Sequence, residues 1–125
     1  MLVKFAVIAG SASKDLGKRI ARRLKAPYVE AKTRVFPDGE SKITFGRIPK
    51  NSVVLVVQST YPPVDTNLLQ ALSIISQARK VSSKIYAVIP YMGYARQDRQ
   101  FLSGEVVTMS IVAKMLQAAG AKKII

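Results

Sequence analysis

The chain contains no cysteine and no histidine. Without thiols there is no disulfide framework, no thiolate nucleophile and no thiolate metal site. Without imidazole, Ser-His-Asp triads, Cys-His dyads and zinc sites each lose a required member, so hydrolase and zinc chemistries fall away. Long apolar runs are missing as well: none approaches the ~20 residues that a bilayer-crossing helix needs. The opening Met1-Leu2-Val3-Lys4-Phe5 lacks the basic segment and apolar stretch of a signal peptide, which predicts a cytoplasmic protein. Negative charge is scarce, with 7 acids against 20 lysines and arginines, for a formal charge of +13.

What is left for chemistry is a set of carboxylates, lysines, arginines, tyrosines and hydroxyls, which suits the handling of phosphate groups by charge and position. A positive field of this size attracts nucleotides, sugar phosphates or nucleic acid, and its sign alone does not choose among them. Part of it belongs to one helical face. From Lys14 to Lys25, Leu16, Ile20 and Leu24 fall on one stripe and leave Lys14, Lys18, Arg19, Arg22 and Arg23 toward solvent.

At 125 residues, 49% of them apolar and set in short runs, the chain predicts one folded domain, 1–125, around one core. Leu2 to Ile8 reads as a buried strand ending in a turn at Gly10-Ser11. Ser13 is the expected N-cap of the helix from Lys14 to Lys25, which Pro27 stops. Tyr28 to Val35 and Ser41 to Phe45 read as two strands around a loop punctuated by Pro37 and Gly39. A strand from Val53 to Val57 precedes a helix from about Asn67 to Val81, with apolar positions at Leu68, Leu69, Leu72, Ile75 and Ala78. Ile85 to Ile89 is the next strand. The irregular stretch Tyr91 to Gly104 leads to a helix from about Val106 to Ala119, through Ile111, Val112 and Leu116, with Gly120 as C-cap. Lys122 to Ile125 begins a further strand, and its stop without a turn or polar tail predicts that the chain continues or belongs to a longer protein. Short strands alternating with longer helices predict an α/β fold with a mainly parallel sheet flanked by helices on both faces. Ligands of such sheets bind beyond the carboxyl ends of the strands.

Three segments are candidates for chemistry. Gly10-Ser11-Ala12-Ser13-Lys14 joins a strand to a helix N-terminus, where backbone N–H groups can hold an anion, although an ordinary turn explains it as well. The following Gly17-Lys18 resembles a P-loop, but Ala12 replaces its first glycine and Arg19 its metal-binding hydroxyl. In Phe36-Pro37-Asp38-Gly39-Glu40 a rigid loop carries a flat stacking surface and two carboxylates, suited to a purine and its amino group; the alternative is a turn in which Asp38 bonds its own backbone and Phe36 packs inward. In Tyr94-Ala95-Arg96-Gln97-Asp98-Arg99-Gln100, Arg96 and Arg99 can fork onto phosphate oxygens, Gln97 can bridge to them, and Asp98 can orient an arginine or bind a hydrated metal ion. A solvent-exposed charged turn is the alternative there.

These last two segments match the FPDGE and PYxxYARQDR motifs of ribose-phosphate pyrophosphokinases, the second running from Pro90 to Arg99, in matching order and separation. Val56-Val57-Gln58-Ser59-Thr60 and Ala118-Ala119-Gly120-Ala121 are similar to the family pattern too. The chain therefore resembles the N-terminal half of that family along its whole length. The resemblance implies a phosphoribosyltransferase-like N-terminal domain, with the C-terminal domain absent. It implies an enzyme of nucleotide biosynthesis that transfers the diphosphate of ATP, with Mg2+, to the C1 hydroxyl of ribose 5-phosphate, releasing AMP. By matching position, Phe36 would stack on adenine while Asp38 and Glu40 read its amino edge, in the site of a neighbouring subunit of a homo-oligomer. Arg96 and Gln97 would contact ATP and its phosphates, with Arg99 in support.

The pattern has departures. Phe101 stands where many members carry an acid three positions after Asp98, and Phe101 to Glu105 looks more like the archaeal branch, which puts effector sensitivity in doubt. Gln70 stands where a glutamate is frequent. The family's metal-binding histidine, its lysine-arginine catalytic loop and its ribose 5-phosphate loop lie beyond Ile125, so the resemblance assigns no catalytic and no metal-binding residue here and implies an isolated chain that is inactive. Two other classes of function compete: a non-catalytic nucleotide-sensing subunit of the same family, which intact motifs disfavour, and a basic nucleic-acid-binding module, which lacks interleaved aromatics.

Overall fold

The computed structural model describes residues 3–125, so the expected strand residue Leu2 lies outside the described part. Strands β1 (Phe5–Ala9), β2 (Tyr28–Glu30), β5 (Val53–Val57), β6 (Lys84–Val88) and β7 (Ala121–Ile124) form one sheet in the order β2-β1-β5-β6-β7. Every pairing in it is parallel. Helix α1 (Lys14–Leu24) covers one face; α2 (Val64–Arg79) and α3 (Thr108–Ala119) cover the other. Strands β3 (Lys32–Val35) and β4 (Ser41–Thr44) form a separate antiparallel pair.

The period-2 alternation of a strand explains how apolar runs feed both faces. Ala6, Ile8, Val54, Val56, Ile85 and Ala87 join the core under α2 and α3 with Leu68, Ile74, Ile75, Val112 and Leu116. Val7, Val53, Leu55 and Val57 form the second core with Ala21, against which Leu16 and Ile20 pack. The stripe expected for α1 is shifted: Gly17 and Ala21 are buried, whereas Leu24 is 40% exposed. Gly17 explains the shift, since a Cβ there would lie 2.4 Å from Ala9 Cβ, so its absence lets helix and strand approach closely. Leu69 and Ile111 also face outward, and Ile74 is fully buried instead.

The expected strand from Tyr28 to Val35 divides at Ala31. Tyr28–Glu30 pairs with β1, and the buried Ala31 donates its N–H to Ala9 O at 3.1 Å. Beyond it Lys32 and Arg34 are exposed, and a sheet buried on both faces has no place for two cations, so the chain leaves the sheet. Helix α2 starts three residues before the expected Asn67, with Pro63 at its N-cap position, Asp65 in the first turn, and Asn67 N–H on Pro63 O at 3.0 Å. Helix α3 starts two residues later than expected because Val107 is non-helical and the N–H of Met109 is taken by Gln97 O at 3.1 Å. Gly120 terminates it at φ 127°. Among the described residues no helix is long and apolar enough to cross a membrane.

Candidate functional site

The hairpin tip from Phe36 to Glu40 is closed by its own backbone. Phe36 N–H donates to Glu40 O and Gly39 N–H to Phe36 O, each at 2.8 Å, with Gly39 at φ 94° where a Cβ would be disfavoured. Glu40 N–H donates to Asp38 Oδ1 at 2.9 Å, so the alternative in which Asp38 bonds its own loop holds for the turn. Its other half does not: Phe36 is half-buried, belongs to neither core cluster, and carries the Arg34 guanidinium 5.1 Å from its ring centroid. The two carboxyls interact directly. A side-chain hydrogen bond from Glu40, followed by its backbone N–H, holds Asp38 below the usual carboxylate range, and the same bond raises Glu40.

The second segment leaves the carboxyl end of β6. Thr60, just past β5, anchors it by donating its N–H to Tyr91 O at 2.9 Å and its hydroxyl to the same oxygen at 2.8 Å, while the Thr60 hydroxyl accepts Gly93 N–H at 2.7 Å. Tyr94 adopts a left-handed backbone at φ 69°, and its carbonyl accepts Gln97 N–H at 2.8 Å. The Tyr94 hydroxyl donates to Asp65 Oδ1, which raises its pKa. Ala95 to Gln100 are exposed. Arg99 pairs with Asp98 at 3.3 Å and lies 5.7 Å from the Phe101 ring, as expected of an acid that orients an arginine; Arg96 has no ion-pair partner among the described residues. A cavity of about 500 Å³ opens beside Val64, Tyr91, Tyr94, Arg96 and Gln97.

The turn from Gly10 to Lys14 is built for a side chain. A Cβ on Gly10 would stand 2.3 Å from Gln58 Oε1, and that oxygen accepts Ala12 N–H at 3.0 Å. Ser13 sits at the N-cap position but does not cap; its hydroxyl accepts Ser59 N–H at 2.9 Å. Gln58, fully buried, passes its amide on to Asn67 Oδ1 at 3.5 Å and Gln70 Oε1 at 3.3 Å. Gln70 also accepts the Ser11 hydroxyl at 2.7 Å and donates to Ser41 Oγ at 3.2 Å. This network ties the hairpin base to the carboxyl ends of β1 and β5. Gln70 is thus a junction between elements; the sequence signal for it was a pair of amides set in otherwise apolar runs.

Among the described residues no hydrogen bond, ion pair or common cavity joins the Phe36–Glu40 tip to the Arg96 loop within one chain. A cavity of about 990 Å³ lies at the opposite end of the sheet beside Lys4, Lys50, Arg79, Lys80 and Lys84. No group of three or more potential acidic metal ligands occurs among the described residues.

The architecture is that of a parallel α/β protein with its two motif loops beyond the carboxyl ends of the strands. Residues 5–120 match the family described as the N-terminal domain of ribose phosphate pyrophosphokinase, and the chain belongs to that family. It is 42% identical over 121 residues to a ribose-phosphate pyrophosphokinase of Methanobrevibacter smithii, covering 95% of this chain and 40% of that one. To the Chlorobaculum tepidum ribose-phosphate pyrophosphokinase it is 39% identical over 120 residues, covering 95% and 37%. The crystal structure of phosphoribosylpyrophosphate synthetase from Mycobacterium smegmatis superposes with a TM-score of 0.88 at 29% identity, over 97% of this chain and 41% of that chain. The chain thus spans well under half the length of these relatives.

Proposed function

We propose that this chain is the ATP-recognition domain of a ribose-phosphate diphosphokinase that works in the cytoplasm as a homo-oligomer. In that reaction the C1 hydroxyl oxygen of ribose 5-phosphate attacks the β-phosphorus of ATP. The bond from that phosphorus to the AMP oxygen breaks, the hydroxyl proton is lost, and phosphoribosyl pyrophosphate and AMP result. Such a transfer depends on positioning and charge neutralisation, to which this arginine-bearing domain contributes cationic contacts.

One observation carries the reading: each motif loop is held in a defined turn by its own backbone bonds, Phe36 N–H to Glu40 O and Gln97 N–H to Tyr94 O, while Glu40, Arg96 and Gln97 stay exposed and Arg96 has no ion-pair partner among the described residues. On this reading Phe36 stacks on adenine, and Asp38 and Glu40 accept from its amino group. Arg96 forks onto the phosphates, Gln97 bridges to them, and Arg99, oriented by Asp98, supports them. Because no hydrogen bond or ion pair among the described residues joins the two loops, the reading has the hairpin serve the site of a neighbouring copy. The described residues do not assemble a magnesium cage. Magnesium is accordingly assigned to the ATP phosphates, which commonly supply much of its coordination.

Calorimetric titration with ATP tests the proposal. Phe36→Ala and Arg96→Ala are each expected to weaken binding by about 1–3 kcal/mol, the range for a base stack or a charge-assisted bond. Single-stranded RNA at two salt concentrations is the comparison: tight, salt-sensitive RNA binding that ignores both substitutions would favour a nucleic-acid module instead.

A further inference from the structure

The phosphate-loop turn contains a residue in an unfavourable backbone state. Tyr94 has φ 69°, a left-handed conformation that a bulky side chain adopts only when its surroundings hold it there. Its flanks are anchored. Upstream, Thr60 clamps Tyr91 O and Gly93 N–H. A Cβ at Gly93 would lie 2.5 Å from Val64 Cγ1, so the backbone there is pressed against the first turn of α2. Downstream, Gln97 O accepts Met109 N–H at 3.1 Å, fixing the exit against α3. Between the anchors the turn has one internal bond, Gln97 N–H to Tyr94 O, and one side-chain tether, the Tyr94 hydroxyl on Asp65 Oδ1. Asp65 belongs to the first turn of α2, where the helix dipole favours a carboxylate.

We infer that Tyr94 and Asp65 are a positioning pair: the hydrogen bond between them holds the left-handed turn that presents Arg96 and Gln97 to the phosphates of a nucleotide. The inference rests on the reading of Arg96 and Gln97 as phosphate contacts. The role inferred for the pair is to hold the turn, not to bind the nucleotide. Tyr94 packs its ring against the core under α2 and α3, and its hydroxyl is the only part that reports on the tether. Loss of the hydroxyl leaves the packing in place and frees the turn to relax toward ordinary backbone angles, which carries the Arg96 fork away from its station.

Tyr94→Phe and Asp65→Ala in the whole chain separate positioning from simple stability. Calorimetry with ATP, inorganic tripolyphosphate and adenosine should show ATP and tripolyphosphate weakened by about tenfold, the order expected for losing alignment of a charge-assisted contact, with adenosine unchanged. The double variant should be no weaker than either single one. Amide hydrogen exchange should quicken at Gln97 and stay slow at Gly93, whose partner is Thr60. Equal losses for ATP and adenosine, or unchanged affinity for ATP in a wild-type background that binds it, overturns the inference. A wild-type chain that binds neither ATP nor tripolyphosphate rejects the phosphate reading itself. Exchange at Gln97 that is indifferent to both substitutions rejects the tether, whatever the ligand does.

Discussion

Asp38 and Glu40 stand two positions apart on an exposed tip and pull each other's protonation in opposite directions, Asp38 down and Glu40 up. The signs follow from the shared bond. Asp38, being depressed, favours the folded tip above the ordinary carboxylate range and loses that contribution as pH falls through its lowered value. Glu40, being raised, contributes below its ordinary value and loses that contribution as pH rises through the raised one. Full exposure makes the pair a matter of local charge more than of global stability. In Glu40→Ala the Asp38 carboxyl is expected to titrate higher than in the parent chain. It stays below the ordinary range because the N–H of residue 40 still donates to it. A carbon NMR titration of the Asp38 carboxyl checks this, and an unmoved titration would show that the two side chains do not meet.

Among the elements, α1 shows most plainly how a helix sequence serves two purposes. Its outward residues are the cations Lys14, Lys18, Arg19, Arg22 and Arg23, with Asp15 in the first turn and arginines in the last, in accord with the helix dipole. Its inward contact depends on Gly17, where any side chain meets Ala9 at 2.4 Å. Gly17→Val is expected to destabilise the protein by about 1–3 kcal/mol through overpacking, which outweighs the slightly better helix propensity of valine over glycine. The melting temperature should drop by several degrees, and a variant melting with the parent would mean that α1 can ride outward without loss. The helix itself and its polar face are legible from apolar spacing. The inward shift to Gly17 and Ala21 is not, because helical periodicity locates a face but says nothing of how near the sheet lies.

At the scale of the whole molecule, no hydrogen bond or ion pair among the described residues joins the two motif loops, and on the proposed reading the complete site takes a second copy. A complementation experiment addresses this directly. Phe36→Ala and Arg96→Ala chains, each defective alone, are mixed and allowed to exchange subunits. In a dimer with shared sites, random exchange makes half the molecules mixed and returns one intact site to each, so about a quarter of all sites recover ATP binding. No recovery on mixing, with exchange verified by mass, would place both loops in the site of a single chain.

Much of the fold was written locally. Apolar runs of strand length, helices stopped by Pro27 and Gly120, and turn residues at Pro37 and Gly39 set the alternation of elements, and the motif residues Phe36 to Glu40 and Arg96 to Arg99 set the chemistry available. Other features depended on residues distant in sequence meeting in space. The departure of the chain from the sheet at Ala31 depends on what β1 can pair with. The role of Gly10 depends on Gln58, 48 positions away in the sequence. The tether from Tyr94 to Asp65 spans 29 positions. Local propensity fixes what each segment becomes, because it acts over a few residues. Which buried amide finds which partner is decided only when the sheet closes, because a buried polar group must be satisfied by whatever packing brings to it.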